Sequence, residues 1–176
     1  MMHCLVGSEM CIRDRLWEGP NGEMPETGCC TAADSEDARK VAAKLEIPYY
    51  VLDYTSSFSE NVIDNFIDMY SKGLTPNPCV ECNRSVKFDH FIDQAKKLNC
   101  EKVATGHYAK IIDNNGSKEL HKADYEEKDQ SYVLHMLTSE KLELIEFPLG
   151  TISKPEVRQI AASLDLKTAF KKDSQD

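Results

Sequence analysis

Apolar residues recur with two periods along this chain, and the change of period predicts an order of helices and strands. Between residues 35 and 46 the apolar positions fall on one helical face, with Asp34 or Ser35 as the capping candidate. Residues 49–53 are rich in aromatic and β-branched side chains, which favour a strand. The first predicted elements are therefore a helix and a short strand after it.

A second helix is predicted to begin at a capping box formed by Ser57 and Glu60, and Gly73 supplies its end. Its apolar residues recur at helical spacing, so we expect them to form one face that packs into the core. The residues of that face are Val62, Ile63, Phe66, Ile67, Met69 and Tyr70.

The alternation continues with a proline-stiffened loop over residues 74–85, an amphipathic helix, and a buried strand over residues 101–105. This order of strand, helix, loop, helix and strand predicts a doubly wound α/β sheet. The apolar face of the third helix is Phe88, Phe91, Ile92, Ala95 and Leu98. Farther on we expect a hairpin of residues 108–112 and 119–121 around a turn at 113–116. We also expect three helices, at residues 129–137, 140–145 and 153–164. The last of them is predicted to begin at a capping box formed by Ser153 and Glu156.

The composition is that of one globular domain. The chain has 176 residues, of which 41% are hydrophobic and 29% charged, enough for a single sizeable core. No apolar run approaches the roughly 18 residues of a membrane span, and no signal peptide is recognisable, so we expect an intracellular protein. Seven cysteines in such a protein indicate catalytic or metal-binding thiols more than a disulfide framework.

Charge is unevenly distributed. The net charge of −9 argues against a nonspecific nucleic-acid binder. Residues 34–70 carry eight acids and three bases, whereas residues 71–110 carry seven bases and four acids. The second segment could therefore face a polyanion, although a solvated surface with a chance excess of lysines explains the same numbers.

The first fifteen residues do not fit this pattern. They show neither a helical nor a strand period, and residues 4–15 resemble a translated sequencing adapter. We therefore expect residues 1–15 to be non-native and leave them out of the predicted fold.

Candidate chemistry centres on the Cys-x-x-Cys pair Cys79 and Cys82, which can bind a metal, form a redox disulfide or hold one nucleophilic thiolate. Zinc would need two further ligands, and the adjacent pair at residues 29–30 is poorly arranged to supply them. Arg84 and Lys87 follow closely, and such cations favour a thiolate.

A second candidate is Gly106, at the carboxyl end of a predicted strand, where α/β sheets bind ligands. A strand-ending turn is the simpler explanation of that glycine.

Five blocks, in order, resemble the signature sequences of the tRNA-specific 2-thiouridylases. The blocks are Thr75 to Asn83 (TPNPCVECN), Val86 to Phe88 (VKF), Ala104 to Tyr108 (ATGHY), Lys128 to Tyr132 (KDQSY) and Lys172 to Ser174 (KDS). Leu16-Trp17 and Gly28-Cys29-Cys30 add to the resemblance, which covers residues 16–176. It implies a mainly parallel, doubly wound α/β sheet of the adenine-nucleotide hydrolase, or N-type ATP pyrophosphatase, type, with residues 16–176 as part of the catalytic domain.

The resemblance also implies a reaction. ATP, with Mg²⁺, would adenylate the C2 oxygen of the wobble uridine of a tRNA, and a cysteine persulfide supplied through a sulfur-donor protein would then deliver sulfur. Cys82 matches the family's nucleophilic cysteine and Gly106 an ATP-contacting glycine, and a disulfide bond involving the catalytic thiols is a further implied feature. Residues matching the family's tRNA contacts are Asn77, Pro78, Cys79, His107, Lys128, Asp129 and Gln130.

Four departures from the family pattern bear on activity or mechanism. The glycine-rich Ser-Gly-Gly-x-Asp-Ser phosphate loop is missing, the second catalytic cysteine would lie beyond Asp176, and the family's C-terminal domains are absent, so we expect the isolated chain to be inactive. Cys79 stands where many members have aspartate, so Cys79 and Cys82 could instead be ligands of an iron–sulfur cluster. Other hypotheses are a zinc-binding module and an ATP pyrophosphatase acting on a small molecule. We expect a cytoplasmic location, or a mitochondrial one in a eukaryote.

Overall fold

The structure, a computed structural model, describes residues 3–6, 10–16, 18 and 31–171. Five of its strands form one sheet in the order β3–β2–β1–β4–β7, and two more form a separate hairpin. Strand β2 is parallel to β3 and β4 is parallel to β7, whereas β1 is antiparallel to both β2 and β4. Four of the five strands therefore run in one direction, which agrees with the predicted mainly parallel sheet. The strands are β1 (His3–Val6), β2 (Met10–Arg15), β3 (Tyr49–Asp53), β4 (Lys102–Thr105), β5 (Ala109–Asn114), β6 (Ser117–Lys122) and β7 (Ile145–Glu146).

Strands β1 and β2 correct our expectation that residues 1–15 contribute nothing to the fold. Met10, Cys11 and Ile12 are buried in the middle of the sheet, where Cys11 pairs with Tyr49 of β3. Only residues 7–9 join β1 to β2, and a connection that short permits an antiparallel pair but not a parallel crossover. Whether residues 1–15 are native stays a prediction.

Helix α1 (Ala32–Lys44) begins three residues before the predicted start. Thr31 is its N-cap: the Thr31 hydroxyl accepts a hydrogen bond from the Asp34 N–H, and the Asp34 carboxylate accepts one from the Thr31 N–H. Asp34 thus completes a capping box from the third helical position and is not itself the cap. The helix packs on β2 and β3 and buries Ala38, Val41 and Ala42 of its predicted apolar face, whereas Leu45, predicted on the same face, is 44% exposed.

A second helical segment covers residues 55–71, as α2 (Thr55–Phe58), a π-helical turn (Ser59–Ile63) and α3 (Asp64–Ser71). The predicted capping box is wrong, since Asp53 accepts the Thr55 N–H at 3.0 Å and the Ser57 hydroxyl bonds to His90 instead. Gly73, at φ +74°, ends the helix as predicted.

The expectation that the apolar face of this helix lies in the core is also wrong. Val62 is 2% exposed, but Phe66, Ile67 and Tyr70 are 37, 59 and 68% exposed. The spacing of apolar residues predicts which side of a helix is apolar, but it does not predict whether another element packs against that side. Among the described residues no element covers the outer half of this one.

The predicted loop at residues 74–85 is non-helical only over residues 74–77, and from residue 78 it is the start of a helix instead. Residues 78–97, called here the cysteine helix, are helical without a break, as α4 (Pro78–Glu81), a π-helical stretch (Cys82–His90) and α5 (Phe91–Lys97). Asn77 caps it and Pro78 takes the first helical position, where a missing N–H costs nothing. Phe88, Phe91, Ile92 and Ala95 are buried in the main core, which confirms the predicted face, whereas Leu98 is exposed.

The last part of the chain contains the predicted hairpin, with Gly116 at φ +86° in its turn. The helix predicted at 129–137 is wrong: short 3-10 turns lie at Glu126–Lys128 and Ser131–Val133. Helix α6 (Ser139–Leu142) is shorter than expected, and β7 follows it. Helix α7 (Lys154–Ser163) has the predicted Ser153 and Glu156 capping box, and a 3-10 turn (Lys167–Phe170) follows. In the described part of the chain no helix is long and apolar enough to span a membrane.

Candidate active site

Cys82 lies at the carboxyl edge of the sheet. It belongs to a small buried cluster that is separate from the main core. Leu16, directly after β2, and Tyr54, directly after β3, are in the same cluster, so the cysteine helix begins beside the ends of two parallel strands. Open α/β sheets bind their ligands at this edge. The full cluster is Leu16, Val62, Cys82 and Val86, with Tyr54 and Phe58 packed against it.

The two cysteines of the pair differ in access. Cys79 is exposed, whereas Cys82 is only 6% exposed. The backbone N–H groups of Cys79 and Val80 donate to the Asn77 side chain at 3.0 and 3.3 Å, so the cap holds this first turn in place. No disulfide joins Cys11, Cys79, Cys82 and Cys100 to one another. The pair therefore presents one thiol at the surface and a second one just beneath it.

The cations next to the pair are not equally available. The Arg84 guanidinium forms a salt bridge with Glu81 on the preceding turn, with Nε 3.3 Å from the carboxylate. Lys87 is half-buried. The positive charge that we expected from Arg84 is therefore partly balanced within the same turn.

Tyr54 adds a neutral hydroxyl to this edge. Burial, and next the Asp14 carboxylate, raise the pKa of the Tyr54 phenol well above its ordinary value. A phenol with a raised pKa stays protonated at physiological pH. The Tyr54 ring also stacks on the His90 ring at 5.9 Å, which joins the end of β3 to the cysteine helix.

Gly106 follows β4 at the same edge and has open space beside it. A Cβ atom added there would meet only the Leu149 side chain, at 3.9 Å, which is an ordinary contact. Neither a positive φ nor close packing requires glycine at this position. The structure is thus compatible with the predicted approach of a nucleotide, while contact with ATP stays a prediction.

His107 is buried, which the sequence did not indicate. It is 1% exposed, its Nδ1 lies 2.8 Å from the Thr105 hydroxyl, and its ring packs against Phe88 and Phe147 at 5.9 and 6.1 Å. In this conformation the side chain supports the end of β4 from inside. The predicted tRNA contact of His107 stays a prediction.

The segment predicted to contact tRNA at residues 128–130 is largely occupied by internal hydrogen bonds. The Asp129 carboxylate accepts from the Ala123 N–H at 2.9 Å and from the Ser131 hydroxyl at 2.8 Å. The Gln130 N–H donates to the Tyr108 carbonyl oxygen at 2.8 Å, and the Tyr108 N–H donates to Gln130 Oε1 at 3.1 Å. Lys128 is half-buried in the preceding 3-10 turn. Gln130 therefore holds the residue before the first hairpin strand, and Asp129 holds the residue after the second.

Asn83 is a site residue that we did not predict. It follows Cys82, is 2% exposed, and its Nδ2 donates to the Val133 carbonyl oxygen at 3.1 Å. The available sequence signal was a polar residue three positions before the apolar Val86, on the buried face of a helix.

Comparison with known proteins decides the family. The sequence model of the tRNA methyl transferase HUP domain matches residues 7–176. The chain belongs to this family. The predicted family and its α/β fold class are confirmed, and the match includes residues 7–15, part of the stretch expected to be non-native.

Curated relatives of this HUP domain carry the name tRNA-specific 2-thiouridylase. The chain is 51% identical to that protein of Rickettsia peacockii over 151 residues, which are 86% of the chain and 41% of the relative. The Rickettsia africae protein is 50% identical over 151 residues, with the same two shares. The Rickettsia bellii protein is 50% identical over 162 residues, 92% of the chain and 44% of the relative. The chain therefore spans about two fifths of the length of these relatives.

Metal ligands in the HUP domain are few within the described ranges. No group of three or more histidine, cysteine, aspartate or glutamate side chains converges there, and Cys79 and Cys82 offer two thiols. Structural zinc takes four ligands, as do most iron–sulfur clusters. The described residues therefore do not make a cluster site by themselves. Cys29, Cys30 and the block Lys172 to Ser174 lie outside the described residues.

Proposed function

We propose that this chain is part of the catalytic domain of a tRNA-uridine 2-sulfurtransferase and that Cys82 is its nucleophile. The observation that carries the proposal is the position of Cys82 at the carboxyl edge of a mainly parallel sheet, one helical turn from the exposed Cys79. The names of the Rickettsia relatives supply the reaction.

The proposed reaction has two steps. The C2 oxygen of the uridine attacks the α-phosphate of ATP and pyrophosphate leaves, so that the poor leaving group at C2 becomes an adenylate. Sulfide sulfur then attacks C2, the bond between C2 and oxygen breaks, and AMP leaves with that oxygen. The sulfide comes from the carrier persulfide: the Cys82 thiolate, which is the nucleophilic form of cysteine, attacks the inner sulfur, a disulfide forms between Cys82 and the carrier cysteine, the persulfide S–S bond breaks, and the terminal sulfur leaves as hydrosulfide. A thiol reductant then cleaves that disulfide before the next turnover.

The described residues support different parts of this reaction. Gly106 leaves room at the edge for the nucleotide, and Asn77 and Pro78 shape the turn that presents Cys79 toward the base. The nearly buried Cys82 is sheltered from bulk water, which protects a reactive sulfur species. The proposed steps use no iron–sulfur cluster, because Cys79 and Cys82 are the two thiols that the described residues place at this edge, and no third ligand converges with them there. A sulfur-donor protein and a cytoplasmic location belong to the same proposal.

A chimeric protein tests the proposal. The matched region of the Rickettsia bellii 2-thiouridylase is replaced by the matched residues of this chain, and 2-thiouridine in tRNA is measured by nucleoside mass spectrometry in cells that lack their own enzyme. We expect thiolation by the chimera and its loss in Cys82→Ser. Cys100→Ser is the matched control, because Cys100 is equally buried, at 8% exposure, but belongs to the main core.

Two outcomes would contradict the proposal. Full thiolation by the Cys82→Ser chimera would remove the assigned nucleophile. Pyrophosphate release from ATP with a small molecule and without tRNA would favour an ATP pyrophosphatase of another specificity. Thiolation by the isolated 176-residue chain would refute our expectation that it is inactive.

A further inference from the structure

The side chain after Cys82 is one of the most deeply buried polar groups in the described part of the chain. Asn83 is 2% exposed and lies on the inner face of the cysteine helix. Its Nδ2 donates to the Val133 carbonyl oxygen at 3.1 Å, across 50 residues of sequence. Its Oδ1 accepts no hydrogen bond from the described residues. The bond to Val133 is therefore what holds this amide, and a buried amide without such a bond is costly.

The acceptor lies on a firmly held turn. Val133 ends the 3-10 turn Ser131–Val133, and its N–H donates to the Gln130 carbonyl oxygen at 3.2 Å. Gln130 is in turn tied to Tyr108 by two hydrogen bonds, and the Ser131 hydroxyl donates to Asp129. A chain of short contacts thus runs from the start of the cysteine helix to the segment after Gly106.

We propose that Asn83 is a positioning residue for Cys82. By binding the Val133 carbonyl it fixes the Cys82 turn against the Gln130 and Tyr108 segments, so that the thiol and the end of β4 keep one relative position. This inference rests on the proposed function for the role of Cys82, but the contact itself does not. Precise placement of a nucleophile matters because displacements of about 1 Å cost large factors in rate.

Cysteine alkylation in the full 176-residue chain tests the proposal. Rates of reaction with iodoacetamide are measured separately for Cys82 and Cys100 by mass spectrometry, together with hydrogen exchange of a peptide covering residues 130–134. In Asn83→Leu, which keeps the size but removes the donor, the buried carbonyl loses its partner. We expect Cys82 to react roughly five- to a hundredfold faster and the peptide to exchange faster, while Cys100 keeps its rate. Asn83→Ser, a smaller change that keeps a donor, should give an intermediate effect.

Ser85→Ala is the matched control. The Ser85 hydroxyl donates to the Glu81 carbonyl oxygen at 2.8 Å within the same helix, so its loss should leave the rate of Cys82 and the 130–134 peptide unchanged. In the chimera, Asn83→Leu should lower kcat for thiolation and leave KM for tRNA unchanged.

Two results would overturn the proposal. An unchanged Cys82 rate in Asn83→Leu would mean that Asn83 only fills space. Equal acceleration of Cys82 and Cys100 in both Asn83 variants would mean that Asn83 supports the whole core and not this turn. Failure of the proposed function is seen separately, because the alkylation rates need neither ATP nor tRNA.

Discussion

The substitution Gly106→Ala tests whether glycine is needed at this position for nucleotide binding or for folding. In Gly106→Ala the new Cβ lies 3.9 Å from Leu149 Cδ1, and the backbone is outside the left-handed region. The folded state therefore accepts the methyl group without strain. Alanine also reduces the conformational freedom of the unfolded chain, so we expect stability to be unchanged or raised by up to about 1 kcal/mol.

Gly150 provides the opposite case. A Cβ there would lie 2.0 Å from the Ala109 carbonyl oxygen and 2.8 Å from the Ala109 carbonyl carbon, both backbone atoms at the start of β5. Neither atom can move away without shifting the hairpin. We expect Gly150→Ala to lower the free energy of unfolding by about 3 kcal/mol, as overpacking at a rigid site does.

The assay has two parts. Urea unfolding of this chain, followed by circular dichroism, gives the stability of both variants. ATP binding is measured in the chimera, where we expect Gly106→Ala to weaken affinity roughly tenfold or more, because a methyl group intrudes where the nucleotide approaches. A loss of stability above about 1 kcal/mol in Gly106→Ala, or ATP binding equal to that of the unsubstituted chimera, would refute this reasoning.

Three further predictions concern the supports of the site. Burial raises the pKa of Asp34, but hydrogen bonds from Lys171 and Thr31 outweigh that effect and leave the pKa below its ordinary value of 3.8. Asp34→Asn should therefore lower the free energy of unfolding by about 1 kcal/mol at pH 7. In urea unfolding at several pH values the difference should vanish as the pH falls below 3.8 and through the lower pKa of the folded state, and a difference that stays constant would contradict the prediction. Phe88→Ala should cost about 3–5 kcal/mol in the same assay, because Phe88 is fully buried, whereas Phe170→Ala, at 84% exposure, should be neutral; equal losses would contradict the assigned core. Asn77→Ala should cost about 1 kcal/mol through loss of the cap, while Asn77→Ser keeps a capping side chain without adding charge. Reduced tRNA binding by the Ser variant of the chimera at unchanged stability would then support a direct contact of Asn77, and unchanged binding would contradict it.

Local features of the fold were predictable wherever neighbouring residues decide them. The hairpin turn needs a glycine at positive φ, and Gly116 supplies it. The capping box of Ser153 and Glu156 closes between residues three apart, so it forms as predicted. Asn77 and Pro78 follow the same local rules, as an N-cap and a first helical residue, whereas the predicted proline-stiffened loop puts Cys82 outside the helix that contains it.

Features that depend on distant residues could not be predicted. The apolar residues Phe66, Ile67 and Tyr70 have the spacing of a buried face and are exposed, because burial depends on which element covers a helix. The family resemblance implies a tRNA contact for His107, and in the fold its ring packs against the rings of Phe88 and Phe147, which are distant in sequence.

Some properties of Cys82 follow from the sequence and others only from the tertiary structure. The sequence by itself determined the residue type, the cysteine three positions earlier, and the family, because a motif is a matter of order and spacing along the chain. Only the tertiary structure decided that Cys82 lies beneath the surface at the ends of β2 and β3, and that Asn83 ties its turn to Val133. Hydrogen bonds and packing between residues 50 positions apart have no periodic signature, since they arise only when the sheet brings those segments together.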